Sequence, residues 1–175
     1  MRRPAGKKRP SQAGDEAALL RRLAGALPVS SAASTARVSE WLASRKSTIA
    51  GKALKSLVAK YPALASLVAG VAEASPYVWD LVRADPARLV RLLKSDPDRA
   101  LAALLAKALR SAASARALAQ VMRVLRCMKA EAALLIALAD IGGVWPVPRV
   151  TGTLTEVAEM ALGAAVQHLL RDAAR

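Results

Sequence analysis

Few residues in this chain have the chemistry or the spacing to make a reactive site. His168 is the only histidine, which removes any two-histidine metal site and any histidine-based nucleophilic triad within one chain. It falls late on an amphipathic stretch beside Gln167, the position of a partly exposed structural histidine. Cys127 is the only cysteine. Arg126 and Lys129 would favour its thiolate, but it has no nearby histidine or second thiol and reads as inert. Asp96 and Asp98 have the D-x-D spacing of a cation site. Pro97 between them marks a helix start, so capping accounts for both acids. Gly51-Lys52 looks like the end of a phosphate loop but lacks the earlier glycine and the following Ser or Thr.

A second set is charged without being reactive: Arg123, Arg126, Lys129, Glu131 and Asp140. Glu131 has no basic residue three or four positions away, so ion pairing along its own helix does not account for it. Asp140 stands at a helix C-terminus, where the macrodipole disfavours a carboxylate. Two readings stay open: both acids are solvated, or they lock their helix against another element, including a further domain. The five residues are candidate interdomain contacts.

They lie on the stretch Arg123 to Trp145, RVLRCMKAEAALLIALADIGGVW. Leu118, Val121, Met122, Leu125, Ala132, Leu135, Ile136 and Ala139 recur at helical spacing. From Ala132 to Ile141 the polar face nearly vanishes, so that half is expected to be buried on more than one side. In this chain alone the second side would then be an exposed apolar patch that promotes self-association. Gly142-Gly143 can supply a left-handed cap, and Pro146 stops the helix.

Before it, Ser75-Pro76, Asp85-Pro86 and Asp96-Pro97 each place a capping side chain ahead of a proline at the first helical position. They predict short helices over 76–84 and 86–94, and a longer one from 97. The central helix is expected to separate from that one near Ser111 to Ser114. Earlier still, Asp15 and Glu16 open a helix through Leu19, Leu20 and Leu23 that Gly25 and Pro28 close. Ser30 to Thr35 reads as a linker, and Val38 to Lys60 as two helices divided near Ser44 to Ser47. Beyond the central helix, Thr153-Leu154-Thr155-Glu156 fits a capping box for a last helix. The fold class is all-α, about eight helices in an irregular bundle with no sheet. The expected organisation is a disordered basic tail over 1–14, N-terminal helices over 15–74 and a helical region over 75–175.

Lys129-x-Glu131 followed by A-A-L-L-I-A-L-A-D-I-G-G-V-W resembles the N-terminal part of the bifunctional glutamine synthetase adenylyltransferase/adenylyl-removing enzymes, in their alphaproteobacterial form. The likeness runs back through Ser75-Pro76-Tyr77 and Asp85-Pro86-Ala87-Arg88-Leu89. Forward, it runs through Val150-Thr151 to the helix ending near Ala174. It covers roughly the last hundred residues; the first seventy are similar only loosely. Cys127-Met128 departs from the basic or small residue usual there. The resemblance implies an enzyme that attaches AMP from ATP to a tyrosine of glutamine synthetase and removes it by phosphorolysis at a separate N-terminal site. It also implies Mg²⁺ in both sites and a PII signalling protein that sets the direction. In that family the helical region precedes a nucleotidyltransferase fold whose Gly-rich turn and paired acids carry the chemistry. The sequence ends at Arg175 ahead of such motifs, so the expectation is a fragment without catalytic, metal-binding or cofactor-binding residues of its own, inactive alone, that packs on the catalytic domain.

Composition agrees with helices: 54% of residues are hydrophobic, with no Phe and only 3% aromatic, which leaves little for strands. A single cysteine suits a reducing cytoplasm. The longest apolar run, Tyr61 to Ala72 with Pro62 inside it, is shorter than the roughly 20 residues of a membrane span. Ser11 to Glu16 stands where a secretory signal would need an apolar segment. The net charge is +14, and residues 1–60 hold 13 Lys and Arg against 3 Asp and Glu. That asymmetry supports an alternative, a stand-alone basic helical module that binds nucleic acid through Arg2 to Arg9 and the Lys46 to Lys60 region. The basic residues are not interleaved with aromatics and no helix-turn-helix pattern is present, so nucleic acid is not the favoured partner. If the tail binds nucleic acid purely as a polycation, affinity falls steeply with salt. Deleting residues 1–14 then weakens duplexes of every sequence alike in a fluorescence-anisotropy titration. Sequence-selective binding that persists at high salt would favour the nucleic-acid module instead.

Overall fold

The three Ser-Pro and Asp-Pro pairs each open a helix, and each cap is made by the expected side chain. Ser75 Oγ accepts from the Val78 amide at 3.4 Å, Asp85 Oδ1 from the Arg88 amide at 2.9 Å, and Asp96 Oδ1 from the Arg99 amide at 2.9 Å. The structure, a computed structural model, describes residues 16–24 and 31–174. Among these residues the chain forms nine helices and no strand. In chain order they are α1 (Leu19–Arg22), α2 (Ala32–Ser44), α3 (Ile49–Lys60), α4 (Pro62–Ala74), α5 (Pro76–Ala84), α6 (Pro86–Leu93), α7 (Pro97–Ser114), α8 (Leu118–Ile141) and α9 (Val147–Ala173). The basic tail 1–14 and the helix-closing Gly25 and Pro28 lie outside the described residues.

Several boundaries differ from the sequence reading. Of the expected linker Ser30 to Thr35, Ser30 lies outside the described residues and the rest is not a linker: Ser31 caps α2 through the Ser34 amide at 3.3 Å, and the helix begins at Ala32. Small Ala and Ser residues look like a linker, yet they are compatible with a first helical turn once a cap is present. The break between α7 and α8 falls at 115–117, beyond Ser114, where the Gln120 side chain accepts from the amides of Arg116 and Ala117.

The largest displacement is at α9. It starts at Val147 with Pro146 as its cap residue, so Thr153-Leu154-Thr155-Glu156 is helix interior and forms no capping box. Pro146 and Pro148 fit only a helix start, and that sets the boundary ahead of Thr153. Thr153 is instead fully buried, and its hydroxyl has no hydrogen-bond partner among the described residues.

The end of α8 is a Schellman turn. Gly143 takes φ 66°, its amide donates to the Asp140 carbonyl at 2.9 Å, and the Val144 amide reaches the Ala139 carbonyl at 2.8 Å. Only glycine holds that φ without strain. Gly142 serves a different need, because a Cβ there would stand 2.5 Å from Leu23. The Ala24 amide donates to the Gly142 carbonyl at 2.9 Å, which pins the N-terminal segment on this turn. Gly51 likewise admits the Arg45 carbonyl, which a Cβ would meet at 2.0 Å. Its place near the α3 N-terminus is packing, and no phosphate loop forms.

The core is centred on α8. Helix α7 packs along one side of it, α9 along another, and α5 covers a third. Ala132, Leu134, Leu135, Leu138 and Ala139 are fully buried and Ile136 nearly so. The expected exposed second side of this stretch is therefore covered within the chain itself, and the self-association argued from it loses its basis. Further out, Trp41 of α2 meets Trp79 of α5 edge to face at 5.3 Å, an arrangement favoured by the ring quadrupoles. No single helix among the described residues is long and apolar enough to cross a membrane; α3 and α4 qualify only as a pair, bent by 114°.

Truncating a fully enclosed leucine leaves a cavity, so Leu135→Ala is expected to cost about 2–5 kcal/mol in a urea melt. Leu135→Asp adds an unpaired buried charge. It should abolish the cooperative transition seen by circular dichroism.

Candidate functional site

The residues singled out on α8 divide between two faces. Glu131 is half-buried, and its Oε1 accepts from Arg91 Nη2 of α6 at 2.7 Å. Its partner is thus within the chain, forty positions earlier, where no helical spacing rule would find it. Arg123 lies on the same flank, where α7 and α8 enclose a cleft of about 220 Å³ lined by Lys107, Arg123, Cys127 and Glu131 over Leu104 and Met128. Cys127 is exposed there.

Arg126 and Lys129 lie on the opposite flank. They border a groove of about 340 Å³ between α8 and α9, floored by Met128, Ala132, Ile136 and Ala161. Both side chains are exposed and neither has an ion-pair or hydrogen-bond partner among the described residues. Asp140 is exposed on this flank too, at the end of α8, and its carboxylate is equally without a partner among the described residues.

A polar node that sequence reasoning missed sits where α7 and α9 begin. Asp98 Oδ1 accepts from Arg149 Nε at 3.1 Å and Nη2 at 2.9 Å, and Oδ2 accepts from Trp145 Nε1 at 3.4 Å. The Arg149 guanidinium also lies 5.1 Å from the Trp145 ring centroid, a cation–π contact. Arg22 stands 3.9 Å from Asp96 and 3.8 Å from Asp98, and its guanidinium reaches the Val144 carbonyl at 3.4 Å. Asp96 caps α7 as expected. Asp98 makes no cap hydrogen bond, so capping does not account for both acids; its carboxylate ties the start of α9 and the Trp145 connector to α7. The one signal in the sequence is a tryptophan set among Gly-Gly and Pro-Val-Pro; nothing there names Asp98 as its acceptor.

Neither acid is placed to hold a metal. No group of three His, Cys, Asp or Glu stands together among the described residues, and the D-x-D acids are surrounded by cationic side chains. Mg²⁺ does not fit this arrangement. His168 is buried, not partly exposed as its place beside Gln167 indicates. It faces inward because α9 turns the row Val150, Thr153, Ala164 and His168 onto the bundle.

The segment that contains α5 to α9, with the Pro-opened helices, the α8 Schellman turn and the Trp145 connector, also matches a protein family. Residues 65–175 match the model of the glutamate-ammonia ligase adenylyltransferase family. The chain belongs to that family. It is 53% identical over 138 residues to the bifunctional glutamine synthetase adenylyltransferase/adenylyl-removing enzyme of Bradyrhizobium diazoefficiens. It is 48% identical over 138 residues to the enzyme of that name from Rhodopseudomonas palustris strain BisB5. Against that of Xanthobacter autotrophicus it is 51% identical over 123 residues, 70% of this chain and 12% of the relative. The first two alignments cover 79% of this chain but only 14% of each relative, so the chain spans about a seventh of their length. No solved structure matches it.

Glu131 and Asp98, both with partners in the chain, should differ in weight. Glu131→Ala removes one exposed ion pair and is expected to cost less than about 1 kcal/mol. Asp98→Ala strands the indole N–H of the buried Trp145 as well, so about 1–3 kcal/mol is expected. Paired denaturant melts of the two variants give the comparison.

Proposed function

We propose that this chain is the helical segment that supports the adenylyl-removing half of a bifunctional enzyme acting on glutamine synthetase. The reading rests on one observation: the family match runs over α5 to α9 and most of α4, and thus over the helices that enclose α8. The relatives' names join transfer and removal of an adenylyl group on glutamine synthetase. In this reading glutamine synthetase is the protein substrate, ATP and Mg²⁺ serve the catalytic domains, a PII protein sets the direction, and the cytoplasm is the compartment. The helices over 15–74 and 75–175 form the support, and the catalytic domain is the partner in cis.

The described residues favour support over chemistry. The one histidine is buried, the one cysteine has neither that histidine nor a second thiol to work with, and the paired acids hold helices together. Nucleic acid is not part of this reading.

Two measurements test it. Purified chain with glutamine synthetase, ATP, phosphate and Mg²⁺ should neither add nor release AMP above a no-protein control. A chimera in which this chain replaces the matched segment of the Bradyrhizobium diazoefficiens relative should carry out both reactions. The same chimera with Leu135→Asp should lose AMP removal. AMP turnover by the chain alone, or a well-folded chimera inactive in removal, would overturn the proposal.

A further inference from the structure

Helix α9 is amphipathic over more of its circumference than the bundle covers. Its buried row is Val150, Thr153, Ala164 and His168, with Val157 and Ala161 half-buried beside it. At 100° per residue, Leu154, Ala158, Leu162, Ala165 and Leu169 fall on the adjoining sector, with Val166 at its edge. Glu156, Glu159 and Gln167 fall on the far side, and Arg171 lies on the α7 side of the buried row, where it reaches the Ala113 carbonyl. Between Leu154 and Leu169 the adjoining sector is apolar yet open to solvent, with Thr151 and Asp172 beyond its two ends: Leu162 is 67% exposed, Leu169 54% and Leu154 51%. It borders the α8–α9 groove, whose wall includes Leu154 and Ala158.

The facing flank of α8 continues the surface. Leu118 and Met122 are also exposed and share the angular sector of Leu125, Lys129 and Ile136. Together the two helices present an apolar trough that extends over about 18 residues of α8, roughly 27 Å at the helical rise. Arg126 stands at its edge and Lys129 within it, both without an ion-pair partner among the described residues, and the exposed carboxylate of Asp140 lies on the same flank at the end of α8.

We propose that this trough is the seat of an amphipathic helix with an acidic flank, supplied in cis by the part of the family protein outside the matched segment. The inference rests on the reading given above and names the surface through which the support is exerted. An apolar floor between two helices takes side chains at i, i+3, i+4 and i+7, the pattern of a helix laid in a groove. Arg126 and Lys129, away from the Asp140 end, select carboxylates on that helix. A second copy of this chain fits less well, because the net charge of +14 and the basic rims would be brought together. The relatives, of whose length the matched residues are only 14%, supply ample further chain. Of the five charged candidates, this assigns Arg126 and Lys129 to the interface and leaves Glu131 to the fold.

The test compares two pairs of substitutions, Leu162→Glu with Leu169→Glu and Arg126→Glu with Lys129→Glu, in the chain alone and in the chimera. In the chain alone both pairs should leave the melting midpoint and the monomeric sedimentation unchanged, since these side chains are exposed and glutamate suits a helix. In the chimera each pair should slow AMP removal by about tenfold or more, a loss of about 1.4 kcal/mol in transition-state stabilisation. Trypsin should then cut the variant chimeras faster at the end of α9, while AMP addition continues at the unsubstituted rate. Variant chimeras that match the unsubstituted one in AMP removal and trypsin resistance would overturn the trough assignment and leave the family reading standing. A folded but inactive unsubstituted chimera would overturn both. A dimer of the chain alone, dispersed by Leu162→Glu with Leu169→Glu, would replace the helix in cis with a second copy.

Discussion

The fold depends on enclosing one helix that has almost no polar side in its second half. Between Ala132 and Ala139, α8 offers alanine, leucine and isoleucine in nearly every direction, so packing against one neighbour would leave most of it in water. At about 25 cal/mol per Å² of apolar surface, burying it on a single side would forgo a large part of the available stabilisation. Three helices, α5, α7 and α9, therefore close around it. The short helices α5 and α6 follow from this need, because tight turns at Ser75-Pro76, Asp85-Pro86 and Asp96-Pro97 bring successive segments back to the same axis. The Gly142-Gly143 turn serves it too, since α9 must reverse direction at once to lie along α8.

Arginines hold the ends of this arrangement. A helix leaves its last carbonyls without partners, and here guanidinium groups from distant helices take them up. Arg37 donates to the Ala72 carbonyl at the end of α4 at 2.7 Å, and Arg88 to Leu81 near the end of α5 at 2.8 Å. Arg171 reaches Ala113 near the end of α7 at 2.6 Å. Each contact places a cation at the negative end of a helix dipole and ties two elements together. Part of the basic composition is thus structural, engaged with carbonyl groups instead of with phosphates. The same logic explains why the acidic minority counts for so much: Asp85, Asp96 and Asp98 act at helix starts, where carboxylates are favoured.

A support segment in a larger enzyme must satisfy two demands at once, a core stable enough to be rigid and a surface left open for its neighbour. In the proposed reading α8 meets the first demand with its second half and contributes to the second with Arg126 and Lys129. α9 divides the two tasks around its circumference. One sector is buried against α7 and α8, and the next is apolar and exposed. In the proposed reading that exposed apolar sector is the interaction site.

The sequence by itself determined the helical class, the three proline-opened helix starts, the α8 periodicity and its Gly-Gly ending. All of these are local: a capping side chain, a proline φ or a glycine φ acts within a few residues of itself. The family was legible for a related reason, since the string from Lys129 to Trp145 combines the buried run with its turn. Tertiary structure alone decided the rest. Glu131 found Arg91 forty positions away, and Asp98 found Trp145 and Arg149 across the bundle. Thr153 lay inside a helix that two prolines had already begun, and His168 was turned inward by the row it shares with Ala164. The apolar second side of α8 was covered by its own chain, while the uncovered apolar sector appeared on α9. Periodicity tells which side of a helix seeks burial, but only the placement of the other helices decides which part of that side obtains it.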